Sequence, residues 1–144
     1  MDALTLPGTL DSLSRIREYV REMGEKAGLD RKALYRLKLA VDEIATNIVI
    51  HGYEDAGLKG EIVISSIVEP AALTIQLEDT SQEYDPYGLE APTNLDKPIS
   101  ERPIGGLGVF LAVRGVDEFH YEHVNGRNFH TFMVKIPSSQ PESS

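Results

Sequence analysis

The residues of this chain best suited to chemistry are a carboxylate and an amide one helical turn apart, Glu43 and Asn47, within "VDEIATNIVIHGY". Asn is an awkward helix residue, because its short side chain competes with the backbone for hydrogen bonds. At about 100° per residue, Glu43, Asn47 and His51 step along one narrow stripe beside an apolar one. An amide oxygen next to a carboxylate suits a hard cation such as Mg²⁺ and leaves the carboxylate able to accept a proton. Taken alone, the pair also fits a plain polar helix face.

Two further segments have chemical potential. "EDTSQEYDP" ends an apolar alternating run with Asp79, where a carboxylate can accept an exocyclic amine or simply cap a turn. "GGLG", residues 105–108, opens an apolar helical stretch. Glycines there permit close backbone approach, and the N–H groups at a helix start attract an anion. Nucleophile chemistry finds little support: there is no cysteine and no Gly-x-Ser-x-Gly elbow. The four histidines show no metal-ligand spacing, and all but His51 read as structural.

The elements that must position these groups follow from periodicity. A first helix begins near Asp11, with Leu13, Ile16, Tyr19, Val20 and Met23 at helical spacing. Gly28 suits its end and Asp30 the cap of a second helix. That helix carries Leu34, Leu37, Val41, Ile44 and Ile48 and is expected to stop at "HGY", with Gly52 in a left-handed turn. Two alternating runs, "GEIVISSIVEP" and "AALTIQLED", form a hairpin around Glu69-Pro70-Ala71. The stretch from Thr80 to Ile104 has little periodicity, and a loop of that length is usually functional. A short helix follows the glycines, and "DEFHYEHV" and "NFHTFMVKI" form a second hairpin around "NGRN". The expected architecture is α+β: two layers, with a mixed but mostly antiparallel sheet and helices on one face. Residues 1–137 are expected to form one domain, with a disordered tail at 138–144.

Composition bounds the partners. The 144 residues are 41% hydrophobic and 26% charged, ordinary values for a globular domain. A formal charge of −9, with no basic run, argues against direct nucleic-acid binding. No apolar run is long enough for a membrane span, and no signal peptide is evident. The absence of cysteine fits a cytoplasmic setting.

Taken in order, the motifs resemble those of one superfamily. "DEIATNIVIHGY" resembles the N box of the GHKL (Bergerat-fold) ATPases, "DTSQEYDP" their Asp-x-Gly box, and "GGLGVFL" their second glycine box. Size, a short lid and the closing "GRNFHTFMVK" are similar to the anti-sigma factor serine kinases of bacterial partner-switching systems. The resemblance implies ATP and Mg²⁺ as cofactors, with Glu43 as general base and Asn47 as the Mg²⁺ ligand. It implies that Asp79 binds the adenine amine, supported by Thr131. Gly106, Leu107 and Gly108 would offer N–H groups to the phosphates, Gly105 would shape the turn, and Arg102 would touch phosphate from the lid. It further implies a homodimer that phosphorylates a small STAS-type anti-sigma factor antagonist and sequesters a sigma factor.

One position departs from the pattern. Ser81 stands where the family usually has Gly beside the base, and Tyr84 replaces a usual Phe. Ser81 keeps open a second reading, a non-catalytic partner-switching module with weakened or lost ATP binding. A third, the detached ATPase domain of a histidine kinase, lacks an upstream phospho-accepting hairpin in this sequence.

Overall fold

The protein is described from a computed structural model, which covers residues 3–82 and 114–136. Chain order in these residues is β1 (Leu4–Pro7), α1 (Leu13–Ala27), α2 (Arg31–Asn47), a π-helical segment (Ile48–Glu54), β2 (Glu61–Val68), β3 (Ala72–Asp79), β4 (Glu118–Val124) and β5 (Arg127–Lys135). The helix boundary near residue 28 follows local chemistry. Gly28 adopts φ 81, which closes α1, and the Asp30 carboxylate accepts the Ala33 amide at 2.8 Å to cap α2.

The five strands form one sheet in the order β1-β2-β3-β5-β4. All four pairings among the described residues are antiparallel, so the mixed sheet expected from sequence is not seen there. Strand alternation divides the sheet cleanly. Ile62, Ile64, Leu73, Ile75, Leu77, Phe132 and Val134 point to the helix layer and are buried. They meet Ile16, Tyr19, Val20 and Met23 of α1 and Leu37, Val41 and Ile44 of α2 in one continuous core. The β4–β5 turn is Asn125-Gly126, with φ 52 and 77, and two positive values suit the right-handed twist of a tight hairpin.

Two further features differ from the sequence reading. A short edge strand, β1, precedes the helices and pairs with β2 from Leu4↔Ile64 to Pro7↔Glu61. The second helix also does not stop at "HGY": it widens into π geometry over Ile48–Glu54, and Gly52 is not left-handed. Gly52 is glycine for another reason. A Cβ there would lie 2.3 Å from the Ser81 hydroxyl oxygen and 2.7 Å from Ser81 Cβ. The expected short helix after the glycines, the loop beyond Gln82 and the tail at 138–144 lie outside the described residues.

Candidate active site

The end of α2 and the adjoining ends of β3 and β5 converge on one polar cluster under the helix layer. Asn47 closes α2 and is 7% exposed. Its Nδ2 donates to the Glu43 carbonyl at 2.9 Å. Because that partner is a carbonyl oxygen, the amide orientation is fixed, and Oδ1 is turned away from the helix backbone. Glu43, one turn earlier, is half-buried, and its carboxylate has no hydrogen-bond or ion-pair partner among the described residues. The π geometry begins directly after Asn47, and such bulges often occur at functional sites. It takes His51 off the stripe it was expected to share: the ring pairs with Asp55 at 2.8 Å instead.

Asp79 ends β3 on the buried face and is 1% exposed. Three donors meet at its Oδ1: the Ser81 amide at 2.9 Å, the Ser81 hydroxyl at 2.6 Å and Asn128 Nδ2 at 2.9 Å. The other oxygen, Oδ2, is buried and accepts no hydrogen bond; His130 Nδ1 lies 3.7 Å away. A buried carboxylate oxygen without a donor is costly. It is the acceptor that an incoming amine would satisfy, so this position fits the amino group of a purine.

Asn128 was not expected in the site. It faces Asp79 directly across the β3–β5 ladder and is 1% exposed. Its Nδ2 reaches both Asp79 Oδ1 and, at 3.0 Å, the Ser81 carbonyl. Its Oδ1 accepts the Tyr121 hydroxyl at 2.7 Å and the His123 Nδ1–H at 2.8 Å. Every hydrogen-bonding valence of the amide is therefore used. Asn47, Ser81, Asn128 and His130, with Ile44, Ile48, Gly52 and Gln82, line a niche of about 10 Å³. That is room for about one water, so a ring can enter only if the walls separate.

The remaining expected residues divide in two. Thr131 is not brought to the cluster. It sits on the opposite, open face of the sheet, where Gln76 Nε2 donates to its hydroxyl at 3.1 Å. The inward neighbours on β5 are Asn128 and His130, and alternation places Thr131 one residue out of phase with them. Arg102, Gly105, Gly106, Leu107 and Gly108 lie outside the described residues. The signal for Asn128 and His130 was available: counting back by twos from the apolar Val134 and Phe132 reaches both polar residues at inward positions.

The donor set also suits a hard cation only in part. Among the described residues, no group of three His, Cys, Asp or Glu could hold a metal alone. Mg²⁺ is ordinarily held by one or two protein oxygens together with phosphate, and Asn47 Oδ1 can be one of them.

Among the described residues, a five-stranded antiparallel sheet under two helices, with a buried Asp and an Asn at a helix end, is consistent with an ATPase domain of the histidine-kinase type. The chain belongs to the histidine kinase-like ATPase domain family, whose model matches residues 6–134. Among its relatives it is 26% identical over 126 residues to "Serine-protein kinase RsbW" of Bacillus cereus (strain AH187), covering 85% of this chain and 78% of that one. The same figures hold for the protein of that name from Bacillus thuringiensis (strain Al Hakam). These relatives agree with the resemblance to the anti-sigma factor kinases of the GHKL superfamily. Solved structures share the fold. One holds the RsbU and RsbW domains of Rv1364c from Mycobacterium tuberculosis, with TM-score 0.59, 20% identity and 93% of this chain covered; the chain spans 32% of that one. Another is the blue-light activated histidine kinase of Erythrobacter litoralis EL346, with TM-score 0.55, 20% identity, 92% of this chain covered and 42% of that one.

Proposed function

We propose that this protein is an ATP-dependent serine kinase of a partner-switching system, which phosphorylates a small antagonist protein of the STAS type and sequesters a sigma factor. The observation that carries the nucleotide part is Asp79 Oδ2, a buried acceptor with no hydrogen bond at the end of a strand. When bound, Mg·ATP supplies the phosphoryl group. Asn47 Oδ1 serves as a metal ligand, held in place by the bond from Nδ2 to the Glu43 carbonyl. The Glu43 carboxylate, unpaired by its neighbours, accepts the proton of the attacking serine hydroxyl. Asp79 orients the base through Oδ2. Arg102 and the turn at Gly105, Gly106, Leu107 and Gly108 are assigned to the phosphates, on the strength of the motif alone. Phosphoryl transfer depends on this sort of positioning and charge neutralisation more than on covalent help.

The kinase reading is tested by incubating the protein and its candidate antagonist with radiolabelled Mg·ATP. Phosphoserine on the antagonist that disappears with Glu43→Ala is the expected result. No label with the wild-type protein, together with no heat on titration with millimolar Mg·ATP, would leave the non-catalytic binding module in its place. A homodimer and a cytoplasmic location belong to the same reading. Light scattering tests the first, and a molar mass of a single chain at micromolar concentration excludes it.

A further inference from the structure

We propose that Ser81 is a positioning residue for nucleotide recognition: seated in the space left by Gly52, its hydroxyl and amide hold Asp79 by Oδ1, so that Oδ2 alone is presented to the base. This rests on the reading of Asp79 as the base-binding carboxylate, and goes beyond it by giving a role to the residue that departs from the family pattern. Position 81 carries a side chain where the family usually has none. That side chain is turned onto Asp79 and packs against Gly52 at the wall of the niche.

The Ser81 hydroxyl has two acceptors in range, Asp79 Oδ1 at 2.6 Å and the Gln82 carbonyl at 3.4 Å. A hydroxyl has one proton, and the shorter, carboxylate-directed bond is the stronger. With the Ser81 amide and Asn128 Nδ2 also on Oδ1, that oxygen is saturated. A purine amine arriving at Asp79 therefore has one acceptor left, in one direction. Serine can occupy this place only because of its neighbour. A Cβ on residue 52 would stand 2.3 Å from Ser81 Oγ, inside any allowed contact. The backbones are tied at the same point, where the Gln82 amide donates to the Gly52 carbonyl at 3.1 Å. Ser81 and Gly52, far apart in sequence, thus form one fitted pair joining the π segment to the end of β3. A serine that only capped the turn after β3 would need its amide bond to Asp79 and nothing from Gly52.

The test uses the full chain and two nucleotides: Mg·ATP, which carries the amine, and Mg·ITP, which carries a carbonyl in its place. Calorimetric titration and thermal melting are run on wild type, Asp79→Ala, Ser81→Ala, Ser81→Gly, Gly52→Ala and the Gly52→Ala/Ser81→Gly double variant. Wild type should prefer ATP by at least about tenfold, since a carbonyl would oppose Oδ2. Ser81→Ala, which keeps the amide bond, should weaken ATP by about 3–10-fold and ITP by less than about twofold. Gly52→Ala should lose ATP at least as severely, and the double variant should return to the affinity of Ser81→Gly. An unchanged ATP-to-ITP ratio in Ser81→Ala overturns the proposal, as does a double variant no better than Gly52→Ala. If Gly52→Ala does not fold, the ratio in Ser81→Ala decides alone. Loss of ATP in Asp79→Ala with no effect at Ser81 overturns this inference and leaves the site reading standing. ATP binding that survives Asp79→Ala overturns both.

Discussion

Asn47 and Glu43 divide their duties by atom. An Asn47 amide N–H goes to the Glu43 backbone, which leaves Asn47 Oδ1 and the Glu43 carboxylate for ligand chemistry. Glu43→Gln should therefore bind Mg·ATP within about threefold of wild type, yet transfer phosphoryl about 10²–10⁴-fold more slowly, as measured in single turnover. Asn47→Ala removes a cation ligand at a position where alanine favours the helix. It should weaken nucleotide binding about tenfold or more in the presence of Mg²⁺ and little in EDTA; equal losses in both would exclude a metal role. At this scale the sequence was informative wherever a residue type conflicted with its surroundings, as with Asn47 in an apolar helix and Asp79 after Leu73, Ile75 and Leu77. It failed where phase decided the matter. Thr131 and His130 are neighbours of similar polarity, and only strand parity separates the open face from the site.

The element that most shapes the site is the π segment. Helical periodicity extrapolated past Ile48 predicts a regular helix that stops at Gly52, because one extra residue in a turn leaves no mark on composition. The widened turn brings Tyr53 inward, where its hydroxyl donates to the Glu61 carbonyl at 2.8 Å and accepts the Thr80 amide at 3.0 Å. Its ring occupies ground that Gly8 and Gly60 leave open: a Cβ on Gly8 would meet Tyr53 Cε2 at 2.4 Å. The helix that carries Asn47 is thereby joined to the residue next to Asp79. Tyr53→Phe should lower stability by about 1–3 kcal/mol in a urea titration, since it removes the two hydrogen bonds that the hydroxyl makes to that carbonyl and amide. Hydrogen exchange should quicken at the Thr80 amide while the centre of β3 stays protected; uniform loss of protection would argue against a local strut. The short β1 strand was missed for a related reason. Four residues ending in proline at a sheet edge carry too little alternation to stand out.

For the whole molecule, the two-layer plan was legible because helix stripes and strand alternation both mark one buried side. The two hairpins were legible too, but the β3–β5 and β1–β2 pairings among the described residues were not, since they are set by contacts between segments remote in sequence. We propose that residues 1–137 suffice as a folding unit. A chain ending at 137 should keep the melting temperature within about 2 °C and the ATP affinity within about twofold of the full chain; a larger drop in either would assign structure to the tail.

Asn128 has a consequence for how the chain finds its pairing. Strands align by side-chain patterning, and a slip by one residue turns each side chain to the other face. Here a slip of β5 against β3 would place Arg127 or Phe129 opposite Asp79 and strand a buried carboxylate without the amide that faces it. The same amide reads the other neighbour, through Tyr121 and His123 of β4. One side chain thus checks two alignments at once, so misaligned sheets are disfavoured before any ligand is present. The residue next to the proposed base-binding carboxylate is also the one that proofreads the sheet, and lesions there should appear first as slow or misdirected folding.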